Sequence, residues 1–159
     1  MEPTTERQDL AYSHEDLMEW PREDLGNLNA VRLGATSSLT VAQFLERLDI
    51  DDCRDVLRQL STERAAEVLA EMDEETAAEV LAAMRLHRAA RILDDFEPDD
   101  AADVVASLDP EVRDRLLDRL ERGARRSIEH LLAYDPDTAG GIMTTEVDTA
   151  LDDITVDEA

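Results

Sequence analysis

Lysine is missing from this sequence: all 16 basic residues are arginine, and 40 acidic residues bring the formal net charge to −24. A chain so acidic repels a phosphate backbone, which excludes unaided nucleic-acid binding. An anionic membrane surface is equally unwelcoming. The partners it attracts are metal ions and basic protein surfaces, although salt adaptation gives the same composition. Cysteine is reduced to Cys53, so there is no disulfide framework and no Cys-x-x-Cys metal site. On its apolar face Cys53 reads as a buried, inert thiol. Aromatics are scarce, with one Trp, two Tyr and two Phe. A core drawn from the 43 % apolar residues is therefore mostly Ala, Leu, Val and Met, which suits helices better than strands. No apolar run approaches the ~18 residues of a membrane helix. The opening Met1-Glu-Pro-Thr-Thr-Glu6 is acidic and lacks the apolar stretch of a signal peptide. The chain as it stands reads as soluble and cytosolic.

What the sequence does have is a period of twelve. The blocks Val41-Ala-Gln-Phe-Leu45, Cys53-Arg-Asp-Val-Leu57, Ala65-Ala-Glu-Val-Leu69 and Ala77-Ala-Glu-Val-Leu81 continue as Ala89-Ala-Arg-Ile-Leu93, Ala101-Ala-Asp-Val-Val105 and Arg113-Asp-Arg-Leu-Leu117. Three residues after each comes a further apolar residue: Leu48, Leu60, Met72, Met84, Phe96, Leu108 and Leu120. Repeats in unbroken register decide the fold. Within a copy the apolar positions fall at i, i+3, i+4 and i+7, one stripe of an α-helix. Ser61, Asp73 and Asp109 stand where N-caps belong, and Pro98 and Pro110 where a first helical residue belongs. Each copy is thus a helix of about two turns followed by a bend. A helix that short needs neighbours, because roughly 12–15 residues are required even for favourable sequences alone in water. Small pairs such as Ala65/Ala66 and Ala89/Ala90 let adjacent helices approach closely. The expected fold is all-α: a compact superhelical solenoid of short helices, of undetermined hand.

The flanks read differently. Residues 1–36 form an extension and cap, with 1–12 disordered, a short capped helix in Ser13-His-Glu-Asp-Leu-Met-Glu-Trp20, and a loop over 21–36. Trp20, Val31 and Leu33 are expected to cover the first end of the solenoid. Residues 37–134 hold the repeats plus one more helix over 124–134. Residues 135–159 have another texture, with Gly140-Gly141 in a turn and Thr155-Val-Asp-Glu158 as a capping box that opens a further helix. A helix start so near the last residue suggests the front piece of a longer protein.

These residues resemble the N-terminal cytosolic domain of MgtE-type magnesium transporters. The Ala-Ala-Glu-Val-Leu copies are similar to that family's superhelical N domain, and Tyr134-Asp-Pro-Asp-Thr-Ala-Gly-Gly-Ile-Met-Thr-Thr-Glu146 is similar to its junction into a pair of CBS domains. Residues 135–159 would then be the linker and the beginning of the first CBS domain. The resemblance implies a regulatory cytosolic domain of an integral membrane protein. Mg2+, weakly held between acidic faces of the N domain and the CBS domains of the same parent chain, would gate a transmembrane pore. It also implies a homodimer in the full-length protein. The metal ligands it carries over are Glu67, Asp99 and Asp103, with the backbone around Gly141. The alternative is a soluble helical-repeat adaptor, an N-domain and CBS protein without a pore, that binds a protein partner.

The residue types agree. Mg2+ takes carboxylate and water oxygens and keeps several waters, so sparse carboxylates on an open face suffice. Asp99 and Asp103 are i, i+4 neighbours whose like charges repel by a few tenths of a kcal/mol at a surface. Glu67 lies at the equivalent phase of an earlier copy. Asp100 reads as a charge favourable to the helix dipole, pointing elsewhere. Most other acidic pairs are solvated surface. His14, His87 and His130 have no partner at ligand spacing, and Met72, Met84 and Phe96 are packing residues. No Gly-x-Ser-x-Gly elbow or phosphate loop occurs, and no enzyme activity is expected.

Overall fold

The structure, a computed structural model, describes residues 11–133. Among them every regular element is helical. The chain runs α1 (His14–Met18), a 3-10 turn (Arg22–Asn27), α2 (Ala30–Ala35), α3 (Ser38–Leu45), α4 (Ile50–Leu57), α5 (Thr62–Ala70), α6 (Glu74–Ala83), α7 (Leu86–Asp94), α8 (Pro98–Ala106), α9 (Pro110–Leu117) and α10 (Arg122–Leu131).

From α3 onward each helix begins twelve residues after the last, at 38, 50, 62, 74, 86, 98, 110 and 122. The same phase that sets the apolar stripe sets the caps. Ser37, Ser61 and Asp73 accept hydrogen bonds from the amides of Thr40, Arg64 and Thr76. Pro98 and Pro110 occupy the first helical position, where the missing N–H costs nothing. Asp109 stands at an N-cap without making the side-chain bond. Ser61→Ala is therefore expected to cost about 1 kcal/mol, and Asp109→Ala much less. Paired thermal melts of the two variants check this.

The stripe is the core. Ala65, Val68, Leu69 and Met72 are all buried, as are their counterparts in the following copies, Ala77, Val80, Leu81 and Met84. Helices two apart in sequence pack on each other: α3 on α5, α5 on α7 and α7 on α9, with α4 on α6, α6 on α8 and α8 on α10. The product is two interleaved rows, the superhelical solenoid that the period implies. Phe96 is only half-buried at the edge of the stripe. Cys53 is fully buried and its thiol donates to Leu45 O at 3.0 Å. Burial, reinforced by Asp52, pushes that thiol up to about 11, which makes it inert.

Polar ties reach one helix further than the apolar ones. Arg64 donates to Thr36 O and to Ser38 Oγ. Arg88, twenty-four residues on, donates to Leu57 O and Leu60 O, each at 2.9 Å. In the other direction Glu46 accepts from the Asp73 amide at 3.0 Å, and Asp94 from the Glu121 amide at 2.9 Å. Asp73 and Glu121 are the N-cap residues of α6 and α10. Arginines thus satisfy orphan carbonyls at helix ends, and carboxylates satisfy orphan amides at helix starts.

The flanks depart from expectation in three places. Residues 21–36 are not a loop: they hold the 3-10 turn and α2, which Asn29 caps by accepting from Val31 and Arg32 amides. Leu33 and part of Trp20 cover the end of the solenoid as expected, but Val31, in the first turn of α2, is 70 % exposed and takes no part in that cover. Tyr12 lies in an ordered, buried position rather than in a disordered lead. Its ring meets Trp20 edge-on at 5.4 Å, Arg32 stacks over it at 4.0 Å, and its hydroxyl accepts from the Asn29 amide. The last helix starts at Arg122, in phase with the repeat, so Gly123 sits in its first turn instead of before it. The beginning of a CBS domain expected over 135–159, and the disorder expected over 1–10, fall outside the described residues.

Candidate cation-binding face

The acidic face is built on α8. Glu97 is its N-cap residue, Pro98 opens it, and Ala101, Ala102, Val104 and Val105 are buried towards α6 and α10. That orientation leaves Asp99 and Asp100 half-buried in the first turn and Asp103 exposed one turn on. First-turn acids are favourable to the helix dipole, which is the local reason the sequence tolerates two in succession.

The three carboxyls share one field. Burial, then Asp99, Asp103 and the Glu71 charge, pushes the Asp100 carboxyl up from its ordinary value. Burial, then Asp99, does the same to Asp103, whose carboxyl is partly shielded although the residue is exposed overall. Asp100 therefore belongs with Asp99 and Asp103, and the reading that it points elsewhere is corrected. Asp100 is i, i+3 to Asp103 and therefore its neighbour on the helix surface, and Glu71 of a neighbouring copy adds the smallest share.

Glu71 is the C-cap residue of α5. Glu67, one turn earlier on α5, is exposed and forms an ion pair with Arg64, the same arginine that ties α5 to the start of α3. Gly141 lies outside the described residues. Among the described residues no three His, Cys, Asp or Glu side chains converge closely enough to hold a metal unaided. A cation on this face would take Asp99 and Asp103 as two carboxylate ligands and complete its shell with water and with oxygens from elsewhere. Mg2+ chemistry allows that. The histidines His14, His87 and His130 are all exposed, and the sequence reading of Met72 and Met84 as packing residues matches their burial.

The raised carboxyls have a measurable sign. A carboxyl that binds its proton more tightly when folded is destabilising when ionised. The cost is present at neutral pH and is relieved as the pH falls through the raised folded value. Asp94 is raised in the same direction, burial outweighing its bond from Glu121. The melting temperature should thus rise as the pH is lowered from 7 towards about 5. Asp100→Asn should raise it at pH 7 and flatten the profile. Identical pH profiles for the two proteins would show that the three charges do not interact.

Fold and face define a short-helix repeat domain with an acidic, cation-attracting surface, in which no described helix is long and apolar enough to cross a membrane. The family profile described as the MgtE intracellular N domain matches residues 37–137. The chain belongs to that family. It is similar to the crystal structure of the soluble part of a magnesium transporter, with 28 % identity and a TM-score of 0.71, over 88 % of this chain and 54 % of the other. It is also similar to the cytosolic domain of the Mg2+ channel MgtE in complex with ATP, with 31 % identity and a TM-score of 0.62, over 77 % of this chain and 48 % of the other. The chain thus spans about half the length of these solved structures. No curated protein matches it by sequence.

Proposed function

We propose that this chain is a regulatory domain of a magnesium-transporting membrane protein and that α8 carries its Mg2+-responsive face. The observation that supports this most is the placement of Asp99 and Asp103 one turn apart on α8 with Asp100 between them, because like charges gathered on one face are where a dication would relieve repulsion. In this reading Asp99 and Asp103, with Glu67 and the backbone near Gly141, contribute oxygens towards CBS domains of the same parent. Asp100 and Glu71 add field without being required as ligands. When Mg2+ is plentiful the negative surfaces are held together and ion flux is shut. When it falls, the surfaces separate.

The single domain supplies only part of a coordination shell, so the 159-residue chain should bind Mg2+ weakly. Micromolar binding that survives Asp99→Ala with Asp103→Ala would misplace the site. In the parent protein, Asp99→Asn with Asp103→Asn should raise the Mg2+ concentration that shuts off flux by about fivefold or more, the usual span of an allosteric coupling. Shut-off at the unchanged concentration overturns the gating role.

A further inference from the structure

One cavity runs against the charge of the rest of the molecule. It is an open groove of about 600 Å3, lined by Arg54, Arg58, Arg85, His87 and Arg88 beside Met84. Four of the 16 arginines of a chain with net charge −24 meet there. Arg54 is answered by Asp51 at 2.7 Å and Asp55 at 3.3 Å. Arg88 gives one nitrogen to the Leu57 and Leu60 carbonyls. Arg58 and Arg85 form no ion pair among the described residues. On its far side Arg58 borders a second cavity with Asp52 and Asp55. Desolvation, then Arg58 and Arg91, pulls the Arg88 guanidinium below its ordinary range, so burial costs Arg88 most and the Arg58 charge across the cavity adds to it.

The placement is also unfavourable to the helix itself. Arg85 is the N-cap residue of α7, and His87 and Arg88 lie in its first turn, which contains no acid. The helices α4, α5, α6, α8 and α9 carry acids at that position, whereas α7 shares their absence with α3 and α10. Cations at the positive end of a helix dipole destabilise it. An anion seated in the cavity would offset both the dipole and the crowding.

We infer that this arginine-lined cavity, between the end of α4 and the start of α7, is a binding site for a small soluble anion carrying two or more phosphate groups. Planar guanidinium forks match phosphate oxygens two at a time. The volume suits a small molecule, being within the range of about 300–1,000 Å3 typical of ligand pockets. A membrane headgroup offers the same chemistry, but the surrounding carboxylates oppose approach to an anionic bilayer. The site lies on α4 and α7, not on α8, and the inference does not depend on the Mg2+ reading.

The test is calorimetric titration of the whole chain with tripolyphosphate. EDTA removes divalent ions that could bridge phosphate to surface carboxylates. About 100 mM salt screens distant charges more than those in contact. Saturable one-site binding is expected, with orthophosphate about tenfold weaker or more. Arg58→Gln with Arg85→Gln should lower the affinity by about tenfold or more, while the melt without ligand does not fall and rises slightly, since neither side chain ties helices together and both add repulsion. No saturable binding, or binding that the double variant retains, overturns the site. So does equal competition by a poly-glutamate peptide, which would make the preference one for charge alone. Co-sedimentation with phosphatidylinositol-phosphate vesicles in the absence of tripolyphosphate binding overturns the soluble ligand.

Discussion

Leu81→Ala is expected to destabilise the folded chain by about 3–4 kcal/mol, in the middle of the range for truncating a buried leucine. Leu81 is 1 % exposed and stands on the stripe of α6, which packs on both α4 and α8. A cavity there is lined by helices of at most ten residues whose backbone positions are set by several neighbours at once, so the gap cannot close by moving one of them. A fall of roughly 10–15 °C in the melting midpoint follows for a domain of this size. The equivalent truncation near an end, Leu117→Ala on α9, has fewer helices around it and should cost less. Equal losses at the two positions would mean that the rows do not stack as described.

Arg88→Met should cost about 2 kcal/mol, more than an ordinary surface arginine by a wide margin. The methionine keeps the aliphatic stem but abandons the carbonyls of Leu57 and Leu60; Leu57 O keeps the bond from the Leu60 amide at 3.1 Å, so the larger part of the loss falls at Leu60 O. Two terms work the other way. Arg88 Nε is buried without a hydrogen-bond partner, and like charges crowd the guanidinium, so its removal returns part of the loss. Arg85→Met, three residues earlier, removes the same charge from the same cavity without breaking a tie and serves as the control. If the two variants melt together, Arg88 acts only as a charge.

The period of twelve was legible because one phase governs three things at once: the buried stripe, the cap and the bend. Ala65, Val68, Leu69 and Met72 stand out as a unit from their spacing alone, and each is buried. The residues 21–36 were not legible for the opposite reason. Gly26, Asn27, Asn29 and Gly34 are turn-forming types, yet Asn29 caps a helix, and the glycines take no positive φ and have open space where a side chain would sit. Short helices at the cap are imposed by Tyr12, Arg32 and Thr36, whose meeting spans 24 residues and leaves no local pattern. The candidate site shows the same division. Asp99 and Asp103 are neighbours by helical spacing alone, as are Asp100 and Asp103, whereas the burial that most raises Asp100 and the smaller Glu71 charge come only from the stacking of copies. The arginine ties did leave a trace, Arg64 and Arg88 at one phase in alternate copies, but a lone arginine per copy looks like solvated surface until its acceptor is seen.

The alternation of the two rows restricts how such a molecule can change its length. Excising one helix with its bend would move every later segment across to the opposite row, setting arginines before ends they do not fit and carboxylates before the wrong starts. Excising two in succession, the stretch from one row-mate's start to the next such as 38 to 62, puts like against like again. Growth and shrinkage are therefore quantised in pairs, and a single-residue insertion inside any copy turns everything downstream by about 100° away from its neighbours.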